Sequence, residues 1–166
     1  MEGRAGLRVE TFGRTSTRSW DTIKQRIGEI ELECFGDHAF SDEELRVAFN
    51  KHHNLVVLLW EGPASDDDLL VGYTQAEPAR VADTYYIANT AIAKSHQRRG
   101  LVQLLMTQLY AEMRAAGVHY IARDVAIENG YADNIVRLYA ADILETFDHD
   151  SRYGPQRFIR MRVPEP

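Results

Sequence analysis

The sequence predicts an α/β (α+β) fold, a single mixed, mostly antiparallel sheet flanked by helices. Three observations predict it. Segments of strand and helix character follow one another in the order β, α, α, β, β, β, α, β, α, β, β. The strand candidates 55–60 and 69–76 flank a turn-rich segment, and the last two flank Arg152-Tyr153-Gly154-Pro155, so both pairs read as hairpins. No repeat and no second domain is legible, so residues 1–166 read as one domain of ordinary size.

Each element has its own signal. Leu7 to Phe12 sets Leu7, Val9 and Thr11 against Arg8 and Glu10, a short strand. Residues Gly13 to Ser19 read as loop. From Trp20, the residues Ile23, Ile27, Ile30 and Cys34 share one helix face, and Gly36 ends the helix. Ser41-Asp42-Glu43-Glu44 is a capping-box pattern ahead of Leu45, Ala48 and Phe49. Leu55 to Trp60 is a continuous apolar run and reads as a buried strand. Asp66-Asp67-Asp68 reads as a solvated hairpin loop rather than a metal site, and Leu69 to Ala76 returns as a strand. Pro78 to Ala82 is a linker, and Asp83 to Ala93 is a strand. A long helix to Ala116 presents Leu101, Leu105, Leu109 and Met113, with Gly117 at its C′ position. Tyr120 to Ile127 is a strand, broken by Asn129-Gly130. Asp133 to Asp142 reads as a helix with Ile135, Leu138 and Tyr139 inward. Two strands between Leu144 and Val163 close the chain.

Bulk composition narrows the function classes. Apolar residues make up 45% and charged residues 27%, which suits a folded core and excludes disorder. Net charge is -6, whereas a nucleic-acid binder carries a basic field, so no nucleic-acid partner is expected. No apolar run approaches the roughly 20 residues of a membrane span, and no secretory signal is legible at Met1 to Arg8, so no membrane partner is expected. One cysteine, Cys34, rules out an internal disulfide and fits a reducing compartment, the cytoplasm by default. The histidines lack metal-ligand spacing, so no metal is expected.

The segment Ile92 to Leu105, IAKSHQRRGLVQLL, carries the chemistry. A strand ends, a turn follows and a helix begins. The first amides of a helix have no partner within it, and the dipole is positive there. Gly100 removes a Cβ where an anion must approach the backbone, and Lys94, Arg98 and Arg99 add charge. This pattern lacks the Lys-Ser/Thr of a nucleoside-triphosphate loop and the GxGxxG of a dinucleotide fold.

The turn Gln97-Arg98-Arg99-Gly100-Leu101-Val102 resembles the Gln/Arg-x-x-Gly-x-Gly/Ala hallmark of the GNAT superfamily of N-acetyltransferases. Ile92 stands five residues before it, where that family has an apolar strand residue, and Leu138-Tyr139 resembles the family's Leu-Tyr pair. Val102 departs from the Gly/Ala of the sixth position, Lys94 replaces a frequent proline, and the family's asparagine position is Ala132, with Asn134 and Asn129 nearby. The resemblance implies a GNAT-like acyl-CoA N-acyltransferase fold along nearly the whole chain, with acetyl-CoA (coenzyme A) as co-substrate and an amine acceptor. It implies that the strand end at Ile92 and Ala93 pairs with the pantetheine arm, that the backbone from Gln97 to Val102 (Gln97, Arg98, Arg99, Gly100, Leu101, Val102) binds the pyrophosphate, and that Asn134 is a weaker cofactor contact. It also implies that the Ile92 amide polarises the acetyl carbonyl and that the Tyr139 hydroxyl is the acid facing sulfur.

Direct transfer from a thioester to an amine needs a base, an oxyanion donor and an acid, but no protein nucleophile, so Cys34 reads as core packing. Asp83 is the candidate base, beside Tyr85, Asn89, Glu31, Glu33, Glu128 or a water chain. The expected function is acetyl transfer to a primary amine of a small molecule or protein. A non-catalytic acyl-CoA-binding regulatory module is the alternative, and a homodimer is left open.

Overall fold

Seven strands form one sheet in the order β1-β2-β3-β4-β5-β7-β6, as β1 (Leu7–Thr11), β2 (Leu55–Glu61), β3 (Leu69–Pro78), β4 (Thr84–Ile92), β5 (Tyr120–Ala126), β6 (Ile143–Ser151) and β7 (Gly154–Arg162). Four helices accompany them: α1 (Trp20–Phe35), α2 (Asp42–Asn50), α3 (Val102–Ala115) and α4 (Tyr131–Leu138). Their order is the one the sequence predicts, with two short 3-10 turns added at Gly36–His38 and Lys94–His96. The structure is a computed structural model that describes residues 6–16, 18–63 and 65–166. It contains two compact units, Met1–Ala76 with Asn89–Leu109, and Glu77–Ala88 with Tyr110–Pro166; β3, β4 and α3 contribute residues to both.

In the first unit β1 pairs antiparallel with β2, and β2 with β3, with a register shift at Leu59/Trp60. β2 is buried from Leu55 to Trp60, which is why its sequence is apolar at every position and does not alternate. Helix α1 buries Ile23, Ile27 and Ile30, which pack with Leu45 and Phe49 of α2 and with Leu58 of β2. Helix α2 begins with the predicted capping box. The Ser41 hydroxyl accepts from the Glu44 amide at 3.2 Å, and the Glu44 carboxylate accepts from the Ser41 amide at 2.7 Å. The β3–β4 approach is close: a Cβ on Gly72 would lie 2.9 Å from the Ala91 carbonyl oxygen, so only glycine fits opposite the end of β4.

In the second unit β4 pairs parallel with β5 over Thr84–Tyr86 and Tyr120–Ala122, and the paired register ends there. β5 pairs antiparallel with β7, and β7 with β6. Helix α3 ends one residue before the predicted Ala116. The Val118 amide donates to the Met113 carbonyl at 2.9 Å, a six-to-one bond that closes the helix across Gly117. Helix α4 differs more from expectation. It starts two residues earlier, at Tyr131, whose amide donates to the Asn129 side chain at 2.9 Å, and it stops at Leu138. Ala132 and Ile135 are buried and Tyr139 is half-buried, a set spaced 3 and 4 residues apart. Leu138, predicted inward, falls off that face and is 56% exposed.

Candidate active site

The turn between β4 and α3 is exposed from Gln97 to Gly100, then buried at Leu101. Two of its residues have left-handed backbone, Arg98 at φ 61 and Gly100 at φ 66. Arginine pays a steric penalty there of about 1–2 kcal/mol that glycine does not. Alternation into the left-handed region turns successive amides to the same side, the geometry of an anion nest. Among the described residues the amides of Gly100, Leu101 and Val102 find no acceptor, and the first helical bond is made by Leu104 to Leu101 at 3.1 Å. Lys94, Arg98 and Arg99 are all exposed around these donors. Val102, the departure in the motif, is the first residue of α3 and is half-buried.

The turn is tied to the end of β4. The Gln97 side chain donates to the Ile92 carbonyl at 2.9 Å, and the Cys34 thiol donates to the same oxygen at 3.2 Å. The next amide, Ala93, donates to Val71 of β3 at 2.8 Å. Donors alternate between the two edges of an extended strand, so the Ile92 amide faces away from β3. At the base of the turn the Lys94 amide donates to the Glu33 carboxylate at 3.0 Å. His96 is buried, with Nε2 2.6 Å from Glu61 Oε2 and Nδ1 2.7 Å from Ser95 Oγ, and this anchors the turn to the end of β2. Hydrogen bonding from His96 holds the Glu61 carboxyl below its usual range.

Cys34 is thus a neighbour of Ile92, a contact between residues 58 apart in sequence that helical periodicity alone cannot show. Burial pushes its thiol above the ordinary value, and the charges of Glu33 and Glu31 add to this. A thiol held protonated is a poor nucleophile. Glu31, only 1% exposed, accepts from the Phe40 amide at 2.9 Å, from Asn89 Nδ2 at 2.7 Å and from the Tyr73 hydroxyl. Burial and the Glu31 charge together raise the Tyr73 hydroxyl far above its usual value. Three donors satisfy this carboxylate, so it serves structure. Glu31 and Asn89, both candidate bases from sequence, are therefore bonded to each other.

In the second unit, Tyr139 caps the C-terminus of α4, with its ring edge-on to Tyr110 at 6.0 Å and 87°. Burial, then the neighbouring Tyr139, raises the Tyr110 hydroxyl above its usual value. Asn134 is exposed on α4, and its Oδ1 accepts from Arg137 at 2.5 Å. Asp83 is not on β4 but in the turn before it, with φ 55 and its carboxylate 3.7 Å from His119 Nδ1. It borders an open depression of ≈ 350 Å³ lined by residues 78–85 and 116–118. Asp83 thus stands immediately before the first residue of β4, and Ile92 is the last residue of that strand.

The reading of residues 66–68 as a solvated loop needs one correction. The Asp68 side chain is fully buried, paired with Arg8 and, at 3.4 Å, with Arg18, whose guanidinium lies 4.0 Å over the Trp60 ring. Its partners lie 60 and 50 residues away in sequence, so local composition could not reveal them. Among the described residues no group of three or more His, Cys, Asp or Glu is placed to hold a metal ion, and no helix is long and apolar enough to cross a membrane.

Solved structures share this fold. The ribosomal-protein-S18-alanine N-acetyltransferase from Escherichia coli superposes with a TM-score of 0.69 at 15% identity, covering 96% of each chain. An aminoglycoside 6'-N-acetyltransferase complexed with coenzyme A gives 0.66 at 15% identity, over 96% of this chain and 99% of that one. The yncA protein of Salmonella typhimurium, solved with its cofactor acetyl-CoA, gives 0.65 at 15% identity, over 97% and 96%. No curated protein matches the sequence. The model of the acetyltransferase (GNAT) family matches residues 21–141, and the chain belongs to that family of enzymes.

Proposed function

We propose that the chain transfers an acetyl group from acetyl-CoA directly to a primary amine, and that residues 1–166 act as one N-acetyltransferase domain. The observation that carries this reading is the turn: three amides, at Gly100, Leu101 and Val102, without an acceptor among the described residues, with the exposed cations Lys94, Arg98 and Arg99 beside them in sequence. A pyrophosphate matches both the donors and the charge. Coenzyme A bound in related folds supports the same assignment. Gln97 holds the turn to the carbonyl of Ile92 and so sets the spacing between pyrophosphate and thioester. The Ile92 amide, on the edge away from β3, would donate to the acetyl carbonyl and to the oxyanion that forms from it. Ala93, bonded to Val71, fixes the strand end that the pantetheine arm follows.

The amine attacks the thioester carbon, the C–S bond breaks, and the thiolate takes a proton. Tyr139 is our proposed acid for that proton, supported by its place in the Leu138-Tyr139 pair. Asn134 is retained as a minor cofactor contact on the same grounds. The raised thiol of Cys34 supports direct transfer over an acyl-cysteine intermediate. A single cysteine and an acidic net charge support a cytoplasmic setting. The test is thermal melting with acetyl-CoA, followed by thiol release with a panel of primary amines. Acetyl-CoA raises Tm in proportion to the logarithm of its concentration if it binds the folded state. No rise with millimolar acetyl-CoA rejects the cofactor assignment; a rise without thiol release from any amine rejects the transfer.

A further inference from the structure

One histidine in the turn has no part in the transfer proposed above. His96 is 8% exposed, while Lys94, Ser95, Arg98 and Arg99 around it in sequence are exposed. Its ring stands between two partners. Nε2 is 2.6 Å from Glu61 Oε2 at the end of β2, and Nδ1 is 2.7 Å from Ser95 Oγ. The other Glu61 oxygen, Oε1, lies 4.0 Å from Arg99, one of the cations beside the amides of the turn. Ser95, His96, Glu61 and Arg99 are thus connected side chain to side chain, and all belong to the first unit.

The protonation state of His96 changes what this set offers an anion. An ionised carboxylate only accepts, so Nε2 carries the proton shared with Glu61. In neutral His96, Nδ1 is then bare and accepts from the Ser95 hydroxyl, whose hydrogen is used up there. Glu61 keeps its charge and draws Arg99 toward itself. In protonated His96 both ring nitrogens donate, and Nδ1 gives its hydrogen to Ser95 Oγ. The Ser95 hydrogen is released and is free to meet a phosphate oxygen. The imidazolium also offsets the Glu61 charge, which loosens the hold on Arg99. Both changes favour a bound polyanion. The coupling shows in Glu61 itself, whose carboxyl is lowered first by hydrogen bonding from His96 and to a smaller extent by the Arg99 charge.

We infer that His96 is a positioning residue of the cofactor turn, and that its protonation tightens the hold on the pyrophosphate through Ser95 and Arg99. This rests on the acetyl-CoA reading above and adds a regulation of that same turn. No covalent bond changes; a proton is taken from solvent as the anion binds. The coupling is reciprocal, so the anion strengthens proton binding by the same factor as the proton strengthens anion binding. Among the described residues, the charged or titratable groups that α1 brings to the turn are Glu33, which accepts from the Lys94 amide, and the Cys34 thiol, held protonated. The turn itself brings Lys94, Arg98 and Arg99. The strand partners of Glu61, Leu7 on β1 and Leu69 on β3, carry no charge, and the first turn of α3 has no acidic residue.

The experiment uses the full chain and 3′-dephospho-coenzyme A as probe. A phosphate monoester such as the 3′-phosphate of acetyl-CoA titrates at about pH 6 and would confuse the readout, whereas the pyrophosphate stays fully ionised. Isothermal titration calorimetry runs from about pH 5.5 to about pH 8.5, the range in which histidine changes charge, in two buffers of different ionisation enthalpy. The expected result is that affinity falls about 10-fold as pH rises, with proton uptake on binding in mid-range. NMR of the His96 ring should show its titration midpoint moving up when the probe is bound. His96→Gln should abolish both the pH dependence and the proton uptake. Glu61→Gln, which no longer competes for Arg99, should bind more tightly at high pH and so shrink the span. Ser95→Ala should shrink it from the other end, by weakening binding at low pH. Binding that is equal at every pH and takes up no proton overturns the inference and leaves the cofactor reading intact. A pH dependence that survives in a folded His96→Gln variant overturns it too. Should that variant fail to fold, as thermal melting would show, a His96 midpoint unmoved by the probe in the unmodified chain is the overturning result. No binding at any pH rejects the cofactor reading, and this inference with it.

Discussion

At Gly100 the backbone has φ 66, where a β-branched side chain is a steric outlier. Gly100→Val has to move the turn out of that region, and it adds methyl groups where the phosphate approaches. We expect acetyl-CoA to bind about 10-fold or more weakly, in line with a conformational cost of about 1–2 kcal/mol, as read by isothermal titration calorimetry. Cys34 gives the opposite expectation. Its thiol is pushed up by burial and bonded to the Ile92 carbonyl, so it is not needed as a nucleophile. Cys34→Ser keeps the donor and should leave kcat unchanged; loss of turnover with intact acetyl-CoA binding would point to an acyl-enzyme. Glu31 is the residue whose loss should cost most stability. Glu31→Ala strands the Phe40 amide, the Tyr73 hydroxyl and the Asn89 amide group. One buried unsatisfied group costs about 1–3 kcal/mol. We expect a loss of about 3 kcal/mol, or roughly 6–12 °C in Tm for a chain of this size.

Among the elements, those with a local cause were legible in the sequence. The capping box at Ser41 and Glu44 is written in adjacent residues and forms as written. Ser41→Ala removes the acceptor of the Glu44 amide and should lower stability by about 1 kcal/mol in thermal melts. The buried run of β2 and the face of α1 follow from period alone. Helix α4 was misphased because its boundaries were set too late: it runs from Tyr131 to Leu138, and Tyr139 is its C-cap. Its start at Tyr131 is set by Asn129 and Gly130, and that start decides which of Leu138 and Tyr139 turns inward. The segment from Ile92 to Val102 was legible as the junction of a strand and a helix because the two periods meet there. The contacts that were not legible are those that depend on strands meeting. Asp124 and His149 are 25 residues apart and become neighbours only through the β5–β7–β6 ladders. Asp83, expected as the first residue of the strand, stands one residue before it, in the turn that leads into β4.

Across the whole molecule, charge is distributed unevenly. The chain carries -6, yet the turn proposed to hold the cofactor contains Arg98 and Arg99, with Lys94 just before it. Local rather than net charge therefore governs attraction of a polyanion, and that attraction weakens with salt. The same distribution sets the pH dependence of stability. Arg157 holds the Asp148 carboxyl below its usual range, and Arg46 does the same for Glu43. A carboxyl lowered on folding contributes stability above its unfolded pKa of about 4, and that contribution is lost as pH falls through the folded value. His149 is raised on folding by Asp124, so its contribution is complete below an unfolded pKa of about 6.5 and disappears as pH rises through the folded value. These groups lie at the surface, so each effect is small and screened by salt. Tm should therefore fall on the acid side below about pH 4 and decline gently above about pH 6.5. His149→Gln should flatten only the upper limb, and Arg157→Gln only the lower one. Both slopes should shrink in high salt, as differential scanning calorimetry over a pH series can read. An upper limb that survives His149→Gln would mean that a different group is charged on folding, and the Asp124–His149 pairing would then lose its support.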